Sequence, residues 1–149
     1  MSAMSAPLPE KLAQIVQRFQ RHSDVKKRYE QLLWYAKHLP PFPEEGKSPE
    51  NKVPGCISQV YITAYFQNGK IYFQGDSDAQ ISKGLLALLI EGLNGLTPTE
   101  IINLSPSFIH QTGLPVSLTP SRSNGFYNIF KKLQQKAMVL QNTSSLHSP

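Results

Sequence analysis

The sequence predicts an α+β domain in which a small antiparallel sheet, built on one hairpin, is packed by several helices. Apolar residues repeat with a helical period before residue 40 and again after residue 80. Between these regions they alternate with a period of two on both sides of Asn68-Gly69, a dipeptide that favours a two-residue hairpin turn. The chain has 149 residues, 40% of them hydrophobic, which is enough for one domain with its own core.

Two amphipathic helices are predicted at the start of the chain. The first begins at Pro9-Glu10, and the second follows Ser23-Asp24, which supply its N-cap, and ends before Pro40-Pro41. Their apolar stripes are Leu12, Ile15, Val16 and Phe19 in the first helix and Val25, Tyr29, Leu32, Leu33, Ala36 and Leu39 in the second. A loop rich in proline and acidic residues follows as far as Gly55, and a loop of this length in a compact domain is usually functional or disordered.

The turn at Asn68-Gly69 fixes the register of the predicted hairpin. The facing pairs are Phe66 with Ile71, Ala64 with Phe73, Ile62 with Gly75 and, on the opposite face, Tyr65 with Tyr72. This register gathers the apolar side chains on one face and brings the Cys56 end of the hairpin beside residues 75–78.

The second half of the chain is predicted to be helical. A helix capped by Ser77 or Asp78 contains the segment 84–90, which is apolar nearly all round and therefore forms the centre of the core. Asn94-Gly95 closes this helix. The starts of three further helices are Thr97-Pro98-Thr99-Glu100, a capping box, then Ser105-Pro106, and finally Thr119-Pro120-Ser121-Arg122 after a connection at residues 114–118. Gly125, early in the last helix, indicates a close approach by another element.

The pattern predicts one domain over residues 10–138, with a loose arm at 1–9 and a flexible tail at 139–149. No apolar run approaches the roughly 20 residues of a membrane span, and no targeting segment is evident, so we expect a cytoplasmic protein without a membrane partner. The net charge is +5, but the basic runs lie in helical patterns without interleaved aromatic residues, so nucleic-acid binding is not expected. Solvated helix faces or an acidic protein partner would account for the charge.

Cys56 is the single cysteine, which excludes an internal disulfide, a Cys-x-x-Cys redox pair and a thiolate cage for zinc. It follows Pro54-Gly55 and precedes the alternating segment, so it lies where a loop passes into a strand. Two interpretations stand at this point: a small apolar side chain that fills space, or a reactive thiol carried on a loop. A reactive thiol could serve as a hydrolase nucleophile with His110 as its base, although no orienting residue is evident. It could instead accept a sulfur atom from a second molecule by thiol exchange, which needs no local base, metal or cofactor.

Three separated blocks resemble the SufE family of sulfur acceptors for cysteine desulfurases. They are Val53-Pro54-Gly55-Cys56-Ile57-Ser58-Gln59-Val60-Tyr61, then Gln74-Gly75-Asp76-Ser77-Asp78-Ala79 followed by Lys83-Gly84-Leu85, and Leu118-Thr119-Pro120-Ser121-Arg122-Ser123-Asn124-Gly125. The similarity covers about residues 9–137. Tyr61 departs from the tryptophan that is frequent in the family, but it faces outward in the predicted register.

The resemblance implies that Cys56 accepts persulfide sulfur from a pyridoxal-phosphate-dependent cysteine desulfurase and delivers it to the scaffold complex that builds iron–sulfur clusters. The chain would hold no cofactor or metal of its own, would act as an accessory protein and not as an enzyme, and would be a monomer or homodimer. The candidate residues for partner binding or support of the cysteine loop are Gly55, Ser58, Asp76, Asp78 and Arg122. For Asp76 and Asp78 the alternative is helix capping, and for Arg122 it is a structural turn. The alternative for the whole chain is a non-catalytic interaction module with an inert cysteine.

Overall fold

The structure, a computed structural model that describes residues 8–146, confirms a single α+β domain. Its elements are α1 Glu10–Gln20, α2 Val25–His38, β1 Val60–Gln67, β2 Lys70–Ser77, α3 Gln80–Leu93, α4 Pro98–Ile102, α5 Ser107–Gln111, α6 Leu114–Ser117 and α7 Pro120–Leu146. The loop between α2 and β1 contains two single turns of 3-10 helix, at Glu44–Gly46 and Pro49–Asn51. Most of the predicted arm, residues 1–7, lies outside the described residues, as do residues 147–149 of the predicted tail.

The hairpin has the predicted turn and register. Asn68 and Gly69 both have positive φ, 53° and 79°, as a type I′ turn requires. All four predicted facing pairs are present, and the pairing runs from Gln67 opposite Lys70 to Val60 opposite Ser77. The inner face buries Val60, Ile62, Ile71 and Phe73.

Helix α3 is the centre of the core, as its apolar sequence predicts, and residues 84–90 are all buried. It packs against α1, α2, β2 and α7. Gly84 makes the closest of these approaches, because a Cβ at this position would lie 2.3 Å from the carbonyl oxygen of Leu32 in α2. The predicted apolar stripe of α1 is buried against the same core, and so is one face of α7. The residues are Leu12, Ile15, Val16 and Phe19 in α1, and Phe126, Ile129, Phe130, Leu133 and Ala137 in α7.

Three predictions of local structure in the helices and connections were wrong. Val25 and Leu33 are 47% and 44% exposed, because the core-facing side of α2 is narrower than its apolar stripe and carries Tyr35 instead. The connection at 114–118 contains the short helix α6, which begins after Gly113 with φ of 77°. Helix α3 has no side-chain cap from Ser77 or Asp78, because β2 continues to Ser77 and the helix starts only after Ala79.

The C-terminal helix is longer than predicted. A frayed tail was expected after Met138, whereas α7 continues to Leu146. Two contacts account for part of this extension: Leu140 packs against the core, and Gln141 Nε2 donates a hydrogen bond to Thr99 Oγ1 at 3.0 Å. The helix is therefore held by α4 beyond Met138, where the tail was expected to begin.

Candidate functional site

Cys56 lies on a short loop, residues 54–59, that is closed at its base by β pairing. The amide of Val53 donates to the carbonyl of Val60 at 2.8 Å, and Lys52 forms an antiparallel bridge with Tyr61. Gly55 has φ of 76°, a left-handed conformation that other residues adopt only with strain, so the loop requires glycine at this position. The base holds the loop in place while its tip, which carries Cys56, lies outside regular secondary structure.

The thiol of Cys56 is half-buried against the first turns of α7. Its Sγ donates a weak hydrogen bond to the carbonyl oxygen of Gly125 at 3.7 Å. A Cβ on Gly125 would lie 3.6 Å from the same sulfur, so the predicted close approach to Gly125 is that of the thiol itself. The neighbouring Ile57 is 65% exposed. The tip of the loop therefore shelters its sulfur on one side and presents an apolar side chain to solvent on the other.

A polar cluster of Ser58, Ser82 and Arg122 anchors the loop on its inner side. Ser58 and Ser82 are buried, and the hydroxyl of Ser82 donates to that of Ser58 at 3.0 Å. The guanidinium of Arg122 donates to both hydroxyl oxygens, at 2.9 Å to Ser58 and 2.5 Å to Ser82. Arg122 also keeps the capping contact that the sequence predicts, since its amide donates to Thr119 Oγ1 at 3.3 Å. It thus joins α7, α3 and the cysteine loop.

Asp78 and Asp76 contact the chain after and before Cys56, respectively, by different interactions. The carboxylate of Asp78 accepts from the amide of Gln59 at 2.9 Å, and the amide of Asp78 donates to the carbonyl of Gln59 at 3.2 Å. Asp76 forms ion pairs with Lys47 of the preceding loop at 3.5 Å and with Lys83 of α3 at 3.4 Å. Lys83 is therefore an ion-pair partner of Asp76.

Two further anchors of the site carry no signal in the sequence. Asn128 of α7 donates to the carbonyl of Gly55 at 3.0 Å, and Ser82 completes the polar cluster. Lys132 and Lys136 follow Asn128 at successive four-residue steps along α7, and they donate to the carbonyl of Glu50 and to Asn51 Oδ1. One face of α7 consequently holds the chain from residue 50 to residue 55.

Two opposing effects act on the pKa of the Cys56 thiol. Burial raises this pKa, and the positive charge of Arg122 lowers it by a smaller amount. The net direction is upward from the ordinary value. In the resting conformation the sulfur is therefore held as a neutral thiol, which is a weaker nucleophile than the thiolate.

We predict that Arg122→Gln raises the pKa of Cys56 further, because the substitution removes the charge that stabilises the thiolate. The rate of alkylation by iodoacetamide, measured against pH, should rise to its plateau at a higher pH than in the unsubstituted protein. Arg122→Lys is the matched control that keeps the charge, and its profile should remain close to the original. An unshifted profile in Arg122→Gln would contradict the electrostatic role and leave only the structural one.

Three other features were considered in the described part of the chain: a metal site, a hydrolase pair and a membrane-spanning helix. Within residues 8–146, no group of three or more His, Cys, Asp or Glu side chains is arranged to hold a metal ion. His110 is exposed on α5, and the hydrogen bond of the Cys56 thiol goes to the carbonyl of Gly125. This arrangement argues against a hydrolase pair of Cys56 and His110. None of the helices between residues 8 and 146 combines the length and apolar character needed to cross a bilayer.

Comparison with known proteins decides the family. The family model SufE, described as an Fe-S metabolism associated domain, matches residues 13–137. The chain belongs to the SufE family. This membership confirms the resemblance of the three sequence blocks and gives the chain a role in Fe–S metabolism.

Relatives of this SufE-family chain extend over most of its length. An uncharacterized SufE-like protein of Synechocystis sp. is 69% identical over 137 residues, covering 92% of this chain and 86% of the relative. SufE-like protein 1, chloroplastic/mitochondrial, of Arabidopsis thaliana is 44% identical, with 90% of this chain and 36% of the relative covered. The cysteine desulfuration protein SufE of Plasmodium vivax is 36% identical, with 91% and 56% covered. The chain thus spans only about a third and about half of the latter two relatives.

A solved structure shares the fold of this SufE-family chain. The solution structure of a hypothetical protein from Thermus thermophilus superposes with a TM-score of 0.78 at 27% identity, covering 91% of this chain and 99% of that one.

The predicted cytoplasmic location stays a prediction, since the name of the Arabidopsis relative assigns that protein to chloroplasts and mitochondria.

Proposed function

We propose that this SufE-family chain is a sulfur carrier that accepts persulfide sulfur on Cys56 from a pyridoxal-phosphate-dependent cysteine desulfurase. The observation that carries the proposal is the placement of the single cysteine at the tip of a base-closed loop, sheltered by Gly125 and beside the exposed Ile57. The name of the Plasmodium vivax relative, a cysteine desulfuration protein, supports the same chemistry. Pyridoxal phosphate belongs to the desulfurase, and the chain contributes the acceptor thiol.

The transfer is a thiol exchange at the outer sulfur of the donor persulfide. The sulfur of Cys56 attacks this outer sulfur, a new S–S bond forms, and the S–S bond of the desulfurase persulfide breaks. The desulfurase cysteine leaves with the electron pair of the broken bond and takes the proton that Cys56 gives up. A thiol and a persulfide enter, a persulfide and a thiol emerge, and no external oxidant or reductant is needed.

The resting geometry suits a carrier because the sulfur is shielded at rest, while the loop tip that carries it can move outward. At rest, burial raises the pKa of the Cys56 thiol and limits its reaction with small molecules. Projection of residues 55–57 needs the loss of the weak bond from Cys56 to Gly125, the bond from Asn128 to Gly55 and the packing of Cys56 on the core, while Ser58 and Gln59 keep their anchors. The base at Val53 and Val60 can stay paired during this movement. A sulfur carried back into the resting position would again be shielded by α7.

Delivery repeats the exchange in the opposite sense. A thiol of the receiving protein attacks the outer sulfur of the Cys56 persulfide, the S–S bond to Cys56 breaks, and Cys56 returns to the thiol state. We place the scaffold complex for iron–sulfur cluster assembly as the receiver, in keeping with the association of the family with Fe–S metabolism. We further propose that the carrier acts as a monomer or homodimer.

The alternative is an interaction module whose cysteine is inert, and the raised pKa of the resting thiol favours that interpretation when taken alone. Turnover of a desulfurase separates the two. With excess cysteine, alanine formation should accelerate as the chain is added, because a carrier removes the sulfur that blocks the desulfurase cysteine. An interaction module would bind the desulfurase and leave alanine formation at its basal rate, and that result would overturn the proposal.

A further inference from the structure

A second surface, separate from the cysteine loop, lies between α1 and α2. It is a cleft of about 560 Å³, within the range of roughly 300 to 1,000 Å³ that is usual for ligand sites. Its lining residues include Arg18 of α1 and Lys27, Glu30, Gln31, Trp34 and Tyr35 of α2. None of these residues takes part in the contacts of the Cys56 site. We refer to this surface as the Trp34 cleft.

The aromatic wall of the Trp34 cleft is preorganised. The indole of Trp34 stacks on the ring of His38 with centroids 4.1 Å apart, and it meets Tyr35 edge-on at 5.2 Å. Arg18 in turn donates a hydrogen bond to the Tyr35 hydroxyl and lies over its ring. Trp34, the single tryptophan of the chain, is nevertheless 51% exposed. Trp, Tyr and Arg are the residues that most often dominate binding energy at protein interfaces.

The cleft also contains a polar group that is not satisfied. The side-chain oxygen of Gln31 is buried and accepts no hydrogen bond from the described residues. A buried acceptor without a donor is costly and calls for an explanation. Rotation of the Gln31 side chain toward the cleft would bring this oxygen within reach of a ligand N–H group, such as the amide of a peptide backbone.

Positive charge predominates on the two helices that form the Trp34 cleft. Between Glu10 and His38 the chain carries seven Lys and Arg residues against three Asp and Glu residues, while the whole chain carries fifteen against ten. These two helices therefore hold four of the five net positive charges. Arg18 and Lys27 bring that charge to the cleft, together with the imidazole of His22. Among the lining residues the carboxylate of Glu30 opposes it, and the carboxylate of Glu91 in α3 acts on the neighbouring Tyr35.

We propose that the Trp34 cleft is a docking site for an acidic peptide segment of a protein partner that carries one aromatic or branched apolar anchor side chain. The anchor would cover the exposed face of Trp34, a backbone amide would donate to Gln31, and the acidic side chains would lie near Arg18 and Lys27. The compact aromatic wall fits an anchor side chain of a peptide better than the phosphate backbone of a nucleic acid, which is read by an extended basic surface. The site is independent of the proposed sulfur transfer.

The fluorescence of Trp34 provides a direct test, because no other residue of the chain contains an indole. We would titrate the full chain with the blocked peptide acetyl-Glu-Asp-Glu-Phe-Leu-Glu-Asp-amide. Emission should shift to shorter wavelength and saturate as the half-exposed indole is covered, and the affinity should fall as salt is added. A peptide with lysine in place of each acidic residue should give no shift. No saturable change up to about 1 mM peptide, the weak end of specific binding, would overturn the proposal.

Matched charge reversals distinguish the cleft from general attraction to a basic protein. Lys27→Glu should weaken peptide binding about tenfold, and it should fold normally because an acidic residue in the first turn of a helix is favourable. Lys70→Glu changes the net charge equally but lies on the exposed hairpin tip, and it should bind as the unsubstituted chain does. Equal weakening by both substitutions, or tighter binding of a poly-dT oligonucleotide than of the acidic peptide, would contradict a peptide site at the cleft.

Discussion

Cys56→Ser is expected to abolish the stimulation of a cysteine desulfurase completely and to leave the fold intact. The hydroxyl can occupy the half-buried position beside Gly125, but an alcohol does not attack a persulfide at a useful rate. Alanine formation should therefore return to the rate of the desulfurase alone at every concentration of the variant. An unchanged melting temperature and circular dichroism spectrum would show that removal of the thiol, and not unfolding, causes the loss of stimulation.

The same variant also tests whether binding and transfer are separate. Cys56→Ser should still bind the desulfurase, because its docking surface is otherwise unchanged, and it should compete with the unsubstituted chain in a mixed assay. Retention of stimulation by Cys56→Ser would show that the chain activates by contact alone. That result would contradict sulfur acceptance on Cys56 as the cause of the stimulation.

Gly84→Ala is expected to have the largest effect on stability among single methyl additions in the helical core. The new Cβ would meet the backbone of Leu32 at 2.3 Å from the carbonyl oxygen and 2.8 Å from the carbonyl carbon, so α2 would have to move away from α3. Overpacking of this kind costs about 1 to 3 kcal/mol or more, against a gain of about 1 kcal/mol in helix propensity. We expect the free energy of unfolding to fall by about 2 kcal/mol and the melting temperature by roughly 4 to 8 °C.

Gly125→Ala is the matched control for Gly84→Ala, since both substitutions add a methyl group inside a helix. Its Cβ would have an ordinary contact with the sulfur of Cys56 at 3.6 Å and no clash with backbone. The free energy of unfolding should stay unchanged or rise by up to about 1 kcal/mol. If Gly84→Ala proves as stable as Gly125→Ala by chemical denaturation, the close packing of α2 on α3 is not as described.

The parts of the fold that could be predicted are those encoded by neighbouring residues. Asn68-Gly69 set the hairpin register because only residues that tolerate positive φ suit the turn, and the alternating pattern agreed with it. The capping box of α4 was likewise local, with Thr97 and Glu100 bonded reciprocally. Pro54-Gly55 correctly indicated that Cys56 lies on a loop.

The contacts that hold the site come from distant parts of the chain and could not be predicted in the same way. Ser82 and Asn128 are single polar residues on helices, and their partners at Ser58 and Gly55 become neighbours only after α3 and α7 pack around the loop. The register predicted that residues 75–78 lie beside the Cys56 end of the hairpin, but Asp78, one of two expected caps of α3, instead accepts a hydrogen bond from the amide of Gln59. Arg122 takes part in both kinds of contact, because its backbone amide donates to the capping hydroxyl of Thr119 while its side chain reaches the loop.

In the proposed mechanism one sulfur atom travels on Cys56, and intact-mass spectrometry tests this transfer most directly. The chain would be incubated with a catalytic amount of desulfurase and cysteine labelled with a heavy isotope of sulfur, then measured with and without reductant. We predict a gain of one labelled sulfur that maps to the peptide containing Cys56, disappears with reductant and is absent from Cys56→Ser. An unchanged mass in the unsubstituted chain, or an equal gain in Cys56→Ser, would contradict sulfur transfer through this residue.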